Sequence, residues 1–357
     1  MKSQQFFQTN GPIIDIDRSL YIEREEDQRL LALLRGAEMP YVTLMGPPQI
    51  GKTSLFYHLR RSLTEGYIPV IVNLSAASDA AEQQWYSYLC RRILAQIHTE
   101  LEKAGEIRDI SSEISNKLEF LDFLENIASH VRPQARIVVM LDEFGTIPKD
   151  VAEGFFSILR TTYNDRGIRE AFQKYGFILA GMMETREAFP VDWINSPFNI
   201  SQKIYLSDLS PEGTYQLAGH LEKSGVQFDD KERALKLIYR LTGGHPNLVQ
   251  KLCVLLADMK GQTISSEHIE QVADCLISDG DDNIYWVREH LSHNKAMEHV
   301  VREILAGGKY RFDRNDPLLR RLELIGGIKE SQGDCVMRNE IYERALKDFP
   351  PLVPSAS

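Results

Sequence analysis

A glycine-rich loop between an apolar segment and an amphipathic segment places the strongest constraint on how this chain can fold. Gly46, Gly51, Lys52 and Thr53 match the pattern G-x-x-x-x-G-K-[ST], the P-loop or Walker A motif. Residues 41–45 before the loop form a short β-prone apolar run, and leucines recur at helical spacing after it. A chance match on an ordinary strand–turn–helix is the plain alternative, and this context makes it the weaker one.

The expected ligand of such a loop follows from its backbone. Several N–H groups converge on one point, and the N-terminus of the following helix adds partial positive charge there, which favours a di- or triphosphate. Lys52 is expected to reach the β- and γ-phosphates, and the Thr53 hydroxyl to hold Mg²⁺. The sequence therefore predicts binding of ATP or ADP with Mg²⁺. The candidate nucleotide-binding loop comprises Gly46, Pro47, Pro48, Gln49, Ile50, Gly51, Lys52, Thr53 and Ser54.

A second motif supplies groups that the P-loop lacks. Four apolar residues, 138–141, precede Asp142 and Glu143. At the end of a strand, Asp142 is expected to bind Mg²⁺ through water, and Glu143 to polarise the attacking water as a general base. A solvated Asp-Glu pair at a strand end is the common alternative. The apolar run, and the position of the pair about 90 residues after the P-loop, favour the catalytic interpretation.

Composition limits the partners and the location of the protein. The 357 residues carry a net charge of −10 and are 43% hydrophobic, so we expect a globular chain with no global positive field for DNA or anionic membranes. The four cysteines form no C-x-x-C pair, which argues against a zinc site or a disulfide scaffold. No signal-peptide core and no apolar run of about 20 residues is present. These features predict a cytoplasmic protein without a membrane partner.

Strand and helix patterns alternate through about the first 200 residues. This alternation predicts an α/β fold, an αβα P-loop ATPase core with a parallel sheet covered by helices on both faces. A further strand between the two motif-bearing strands, with a glutamate directly after the aspartate, indicates the additional-strand class of P-loop ATPases. Five strands are expected, at 41–45, 68–74, 136–145, 175–189 and 203–209.

From Ser210 onward the pattern is helical. Four helices precede the polar stretch 279–283, which is the best linker candidate. From about residue 295 a helix, a helix, a hairpin and a helix follow, the outline of a winged-helix unit. The predicted organisation is an N-terminal lead 1–20, an ATPase core 21–208, a helical lid 209–278, a winged-helix domain 279–350 and a tail 351–357.

Several residues are candidates for sensing the nucleotide, each with an ordinary structural alternative. Thr185 and Arg186 follow the fourth predicted strand, where a γ-phosphate sensor would lie. Arg160 and Arg166 could sense phosphate or be surface charges. His245 belongs to a Gly-His-Pro turn that also fits a plain helix–helix connection.

Taken together, these motifs resemble the bacterial AAA-like ATPases of the STAND signal-transduction group. The resemblance extends over about residues 6–349. LRRLELIGGIKESQGDCVMRNEIYERAL resembles the C-terminal winged-helix segment of that group. The other segments that carry it are YIER (21–24), GPPQIGKTSL, EQQWY, LDEF, LRTTYNDR, SPFNISQKIYLSDLS and GGHPNLVQ.

The resemblance implies an αβα ATPase core, a helical lid and a winged helix, with ATP or ADP acting as a conformational switch. It also implies that the segment Tyr21–Arg24 lies by the adenine and that these residues line the base. The turn that contains His245 and Pro246 would let the lid respond to the phosphates. By itself, Arg24 could equally belong to a charged helix start.

Three functions are consistent with the sequence, in decreasing order of support. The first is a slow, switch-like Mg²⁺-dependent ATPase that acts through protein partners and could form a homo-oligomer in its ATP state. The second is a DNA-handling ATPase, of the origin-binding or transposition-regulator type, that would use the winged helix on duplex DNA. The third is a nucleotide-bound scaffold without hydrolysis, which conflicts with the intact Lys52, Asp142 and Glu143.

The DNA hypothesis rests on one basic stretch, residues 309–321. Asp313 and Asp316 interrupt this stretch and Glu323 follows it, whereas a phosphate-tracking face should be more uniformly basic. We therefore favour a solvated face, or a winged helix that packs on its own ATPase core. The basic residues are Lys309, Arg311, Arg314, Arg320 and Arg321.

Overall fold

The computed structural model describes residues 7–14, 21–103, 110–181, 199–259 and 261–347, and the chain divides into two compact units. One, here called the α/β unit, comprises residues 25–45 and 55–206. The other, here called the helical unit, comprises residues 1–24, 46–54 and 207–357. The chain therefore leaves the α/β unit at the P-loop and returns to it within the following helix.

Parallel strands form the sheet of the α/β unit. They are β1 (Tyr41–Met45), β2 (Tyr67–Asn73), β3 (Arg136–Asp142), β4 (Tyr175–Ala180) and β5 (Ser201–Tyr205). Among the described residues the sheet has these five strands, in the order β2-β3-β4-β1-β5. β1 and β4 are buried along their whole length and β3 at all but its first residue, as expected for a sheet covered on both faces.

The sheet confirms the predicted α/β class, but several strand ends differ from the sequence prediction. β2 is shifted by one residue from 68–74, and β5 is Ser201–Tyr205 rather than 203–209. β3 ends at Asp142 rather than at residue 145, because Glu143 adopts a left-handed conformation with φ of 54°. β4 ends at Ala180, and the rest of the predicted strand, 182–189, lies outside the described residues. In the sheet, β4 lies between β1 and β3. β2 lies between them in the sequence, but in the sheet it forms an edge strand.

Helices flank the sheet on both faces. They are α1 (Glu25–Arg35), α2 (Lys52–Ser62), α3 (Glu82–Lys103), α4 (Lys117–His130), α5 (Lys149–Asn164) and the short α6 (Glu170–Gln173). Leu141 and Phe177 of the sheet share one apolar cluster with Trp85, Phe120 and Phe155 from α3, α4 and α5. Side chains alternate between the faces of a strand, and the alternating residues of β3 and β4 are also buried. The core therefore lies on both sides of the sheet.

The helical unit contains eight helices and two short strand pairs within its described ranges. The helices are α7 (Pro211–Gly219), α8 (Lys231–Thr242), α9 (Pro246–Ala257), α10 (Ser266–Ser278), α11 (Asp282–Ser292), α12 (Lys295–Leu305), α13 (Pro317–Ile325) and α14 (Glu340–Lys347). Ser210 accepts a hydrogen bond from Gly213 N–H and precedes a proline, which fixes the start of α7 as the sequence predicts. Across the described ranges of both units, none of the helices combines the length and the apolarity that a membrane crossing requires.

The order helix, helix, hairpin, helix is present at the end of the described chain, as α12, α13, a hairpin and α14. The hairpin pairs β8 (Ile328–Ser331) antiparallel with β9 (Asp334–Met337). Its two turn residues, Gln332 and Gly333, have φ of 53° and 86°, as a tight two-residue hairpin turn requires. A second pair, β6 (Gln227–Phe228) with β7 (Thr263–Ile264), is parallel and was not predicted, because two residues carry no readable periodicity.

The polar stretch 279–283, the predicted linker, is an ordered connection. Asp281 is buried and accepts hydrogen bonds from the N–H groups of Asn283 and Ile284, which caps α11. Its other carboxylate oxygen lies 2.5 Å from Lys251 Nζ. One of the three acidic residues of the stretch, Asp281, is therefore used for helix capping and for an ion pair, whereas Asp279 and Asp282 are exposed.

Candidate nucleotide site

The backbone of the P-loop is folded as an anion-binding loop requires. β1 ends at Met45, and α2 begins at Lys52. Gly46, Gln49 and Gly51 have φ of 154°, 57° and 99°. Such positive-φ residues let successive backbone groups turn toward one point, and the N-terminus of α2 adds its dipole. Because a glutamine adopts this conformation only under constraint, other contacts must hold Gln49 in place.

Lys52 lies inside the loop that it is predicted to serve. Its Nζ donates hydrogen bonds to the carbonyl oxygens of Gly46 at 3.0 Å and Pro47 at 2.9 Å, and the residue is only 7% exposed. An ammonium group held this way is already desolvated and directed toward the centre of the loop. A phosphate at that point would accept from the same group.

Arg24 supports the loop from the N-terminal side. The side chain is buried, and its Nη1 donates to the carbonyl oxygens of Ile50 at 2.8 Å and Ser207 at 3.2 Å. Arg24 directly precedes α1, yet it is not an exposed charge at a helix start, which was the alternative left open by the sequence. Its guanidinium instead hydrogen-bonds both to the P-loop, at Ile50, and to Ser207, which follows β5.

His245 joins the loop to the start of α9. Its Nδ1 accepts the N–H of Leu248 at 3.5 Å, and the backbone of Pro48 also hydrogen-bonds to the imidazole. Burial, and then the positive charge of Arg338, lower the pKa of His245 to about 4. The imidazole is therefore neutral at pH 7, and because Nδ1 is an acceptor, its proton lies on Nε2.

The C-terminal part of the helical unit also touches the P-loop. Asn283, at the start of α11, donates its amide to Gln49 Oε1 at 2.9 Å and to Asn247 Oδ1 at 3.3 Å. At Gly326, after α13, a Cβ would lie 3.2 Å from the Cβ of Pro47. The sequence did not indicate Asn283 and Gly326 as residues of the site. Both lie more than 230 positions after Gln49, and no local sequence pattern shows that they contact the P-loop.

A cavity that is partly open to solvent lies beside the P-loop within the helical unit, with an internal volume of about 70 Å³. The predicted residues Tyr21, Arg24 and Pro246 line it. So does Ile22 of the same predicted segment, together with residues that the sequence did not single out: Gln8, Gly11, Ile13, Leu209, Leu217, Asn247 and Gln250.

Residues 7–14 are bound along the cavity by three hydrogen bonds. Gln8 N–H donates to Gln250 Oε1 at 3.1 Å, and Asn247 Nδ2 donates to the carbonyl of Thr9 at 3.1 Å. Ile13 N–H donates to Ser54 Oγ at 3.0 Å. The N-terminal segment is thereby attached both to α9 and to the helix of the P-loop.

The acidic pair lies at the end of β3 in the α/β unit. Asp142 is 2% exposed, and its Oδ1 accepts the N–H of Glu143 at 3.1 Å. Glu143 is left-handed, and Thr146 Oγ1 donates to its carbonyl at 2.7 Å. Gly181 follows β4, with φ of 157°, and a Cβ there would lie only 2.9 Å from Phe144 N. A glycine is thus needed beside this turn.

The register of the sheet shows where the acidic pair stands relative to β1. Asp142 aligns with Ala180 of β4, and Ala180 aligns with Leu44 of β1. Leu44 is the last residue but one before the chain enters the P-loop. The carboxyl ends of the three strands therefore meet at one edge of the sheet, where α/β folds place their ligands.

The sensor candidates have different outcomes. Thr185 and Arg186 lie outside the described residues. Arg160 is half-buried on α5. Arg166 donates to the carbonyls of Met39 and Tyr175, before β1 and at the first residue of β4.

Arg166 is therefore a structural anchor. Its guanidinium lies 4.6 Å from the ring centroid of Tyr41 and 4.8 Å from that of Tyr163. Met39, Tyr41 and Tyr175 stand at the amino ends of β1 and β4, the opposite sheet edge from Asp142, and Tyr163 lies on α5. In these contacts Arg166 holds α5 and the segment after it against the starts of β1 and β4.

A family model described as an AAA-like domain matches residues 9–348. The chain belongs to this AAA-like family. The Walker-type ATPase PABY2304 of Pyrococcus abyssi has the same fold, with a TM-score of 0.67 and 13% identity, over 96% of this chain and 99% of that one. The Aeropyrum pernix ORC2 protein, solved as ADPNP-ADP complexes, is similar with a TM-score of 0.51 and 15% identity, over 97% and 98%. A search of curated proteins finds no match.

Proposed function

We propose that this AAA-like protein is a Mg²⁺-dependent ATPase of the STAND type, a switch whose ATP and ADP states are recognised by protein partners. One observation carries the proposal: within the helical unit, the P-loop is bonded to α9 through His245 and to α11 through Asn283. A ligand that reshapes the loop would change the contacts of those helices. A ligand shifts a conformational equilibrium only through such differential contacts.

The residues present fit a nucleotide. Loop residues 46–54 would hold the phosphates, and Lys52 would neutralise their charge. Thr53 and Asp142 would hold Mg²⁺, which when bound supplies further neutralisation of the phosphate oxygens. The adenosine would occupy the cavity lined by Tyr21 and Pro246. The similar ORC2 protein was solved as ADPNP-ADP complexes, which supports this proposal.

Glu143 would act as the general base. Its carboxylate would accept a proton from the attacking water as the new bond to the γ-phosphorus forms and the bond to the β-phosphate oxygen breaks, releasing ADP and phosphate. The turn 142–146 holds this carboxylate close to the end of a buried strand. Slow turnover suits a switch, because the protein then remains in its ATP state long enough to bind a partner.

The remaining parts of the proposal concern organisation. Residues 21–208 would form the ATPase core, 209–278 a lid and 279–350 a winged helix, whose outline α12, α13, hairpin and α14 reproduce. Partners would bind the surface that the nucleotide state exposes, and a homo-oligomer would form in the ATP state. Light scattering of the eluting protein in ADP and in a slowly hydrolysed ATP analogue would detect such assembly.

The DNA-handling alternative is less well supported. Arg314 is bonded to Glu323 with Nη2 and Oε1 2.7 Å apart, which neutralises one of the basic residues. Arg311 pairs through its backbone with Asp334, which places a carboxylate beside the basic stretch. Neither arrangement favours a surface for a phosphate backbone.

Thermal unfolding with and without Mg²⁺-ADP tests nucleotide binding. A ligand at 100 times its Kd stabilises the native state by about 2.7 kcal/mol, a melting shift of roughly 2–4 °C in a protein of this size. Lys52→Ala should abolish the shift, whereas Lys236→Ala, an exposed lysine on α8, should retain it. Equal shifts in Lys52→Ala and wild type would show that the P-loop does not bind the nucleotide.

A further inference from the structure

Gln250 is an unusual member of the cavity wall. It lies on α9 one turn after Pro246, and it lines the cavity although it is only 5% exposed. The same lining includes apolar side chains, among them Ile13, Ile22 and Leu217. A buried amide in such a wall needs hydrogen-bond partners for both of its ends.

The orientation of the Gln250 amide is settled by one contact. Gln8 N–H, which can only donate, lies 3.1 Å from Oε1 of Gln250. The oxygen is therefore the end bonded to residues 7–14, and the NH₂ group is the other end. Within the described residues, no protein group accepts a hydrogen bond from this Nε2.

The neighbouring polar groups are already engaged. Gln8 Nε2 donates to the carbonyls of Asn10 at 3.2 Å and Pro12 at 2.6 Å. Asn247 donates to Thr9 and accepts from Asn283. Gln49 also lines the cavity, but it is exposed and accepts from Asn283 through Oε1. Of the four amides of the lining, Gln250 is the buried one, and its NH₂ is a buried donor that a ligand can engage.

We infer that Gln250 recognises the base: its Nε2 donates a hydrogen bond to a ring nitrogen of adenine, between apolar side chains that contact the faces of the ring. A bond to N1 would also select against guanine, which carries a proton there, whereas N3 and N7 are acceptors in both purines. The inference rests on the proposed nucleotide function and deepens it. Adenine offers the ring nitrogens N1, N3 and N7 as acceptors, so a fixed donor reads the base at one of them. The bond between Gln8 and Oε1 makes the donor rigid, which favours selection.

Calorimetric titration of ADP and its 1-deaza, 3-deaza and 7-deaza analogues tests the assignment, with wild type and Gln250→Met compared. One neutral hydrogen bond corresponds to about five- to tenfold in affinity, so Gln250→Met should bind ADP about that much more weakly. For the one analogue that lacks the reading nitrogen, wild type and variant should bind equally. Melting curves of the free proteins check that the variant is folded.

Asn247→Leu is the matched control. It removes another amide that holds residues 7–14, so any loosening of this segment should affect ADP and the three analogues by one common factor. The same analogue dependence in Asn247→Leu as in Gln250→Met would overturn the assignment, and so would an equal loss for all four ligands in Gln250→Met. A wild type that binds none of the four would instead contradict the nucleotide site itself.

Discussion

The P-loop and the acidic turn each place a non-glycine residue in the left-handed region, but they are held there by different means. At Glu143, φ is 54°, and the supporting bonds come from Asp142 and Thr146, within three residues. At Gln49, φ is 57°, and the bond comes from Asn283, 234 positions away. The acidic turn is thus a local structure on a buried strand.

The P-loop, in contrast, depends on distant parts of the chain. Arg24 and His245 reach it from sequence positions before and after the whole sheet, together with Asn283. A change in the conformation of the P-loop would alter its hydrogen bonds to these three distant residues. A change in the acidic turn would alter its bonds to neighbours in sequence. We therefore expect substitutions at the turn to alter chemistry or local stability, and substitutions around the loop to alter coupling.

The largest expected effect is on turnover at the acidic turn. Glu143→Gln should keep nucleotide binding but slow ATP hydrolysis by about 10²–10⁴-fold, the usual contribution of a positioned general base. Phosphate release under saturating Mg²⁺-ATP measures the change, and Glu153→Gln, an exposed glutamate on α5, serves as the control. If Glu143→Gln turns over at the wild-type rate, the base is another group and the turn has no chemical role.

The next effect is a pH dependence that comes from the loop. His245 has a pKa of about 4 in the folded protein against 6.5 unperturbed, mainly because of burial, so below pH 6.5 the unfolded state binds more protons. Stability should be fully present above about pH 6.5 and decline as the pH falls toward 4, by at most about 3 kcal/mol.

His245→Asn keeps a side chain that can cap α9 and removes the titration. Urea unfolding between pH 4 and 7 should therefore show a flatter profile for His245→Asn than for wild type. If the stabilities of wild type and His245→Asn changed in parallel with pH, the imidazole would not be held neutral in the folded protein. His245 would then not connect the P-loop to α9 in the way proposed.

A smaller effect is expected where the acidic turn meets β4. Gly181→Ala adds a Cβ 2.9 Å from Phe144 N at a φ of 157°, so it should destabilise the α/β unit by about 1–3 kcal/mol. Gly167→Ala, where a Cβ would meet nothing within 4 Å, should be neutral or slightly stabilising. Urea unfolding compares the two, and equal stabilities would show that the turn is not tightly packed.

The same contrast explains how far the sequence could predict this molecule. The strands, the P-loop and the acidic pair are carried by local patterns, and the predicted β1 matches the observed Tyr41–Met45. Bonds between distant residues, such as Gln8 to Gln250, leave no local signal. The same holds for Asp281 in the predicted linker 279–283, because its partner is Lys251, 30 positions away. The polar residues of this stretch suggested exposure to solvent, whereas Asp281 is buried because it caps α11 and pairs with Lys251.

Hydrogen exchange on adding Mg²⁺-ADP tests most directly whether the loop is coupled to the helical unit. We predict that exchange slows in the first turns of α9 and α11 as well as in residues 41–62, by about fivefold for each hydrogen bond strengthened. Asn283→Leu should remove the change in α11 and retain the change in residues 41–62. Slowing confined to residues 41–62 in the wild-type protein would contradict the account, because the loop would then bind nucleotide without passing its state to the helices.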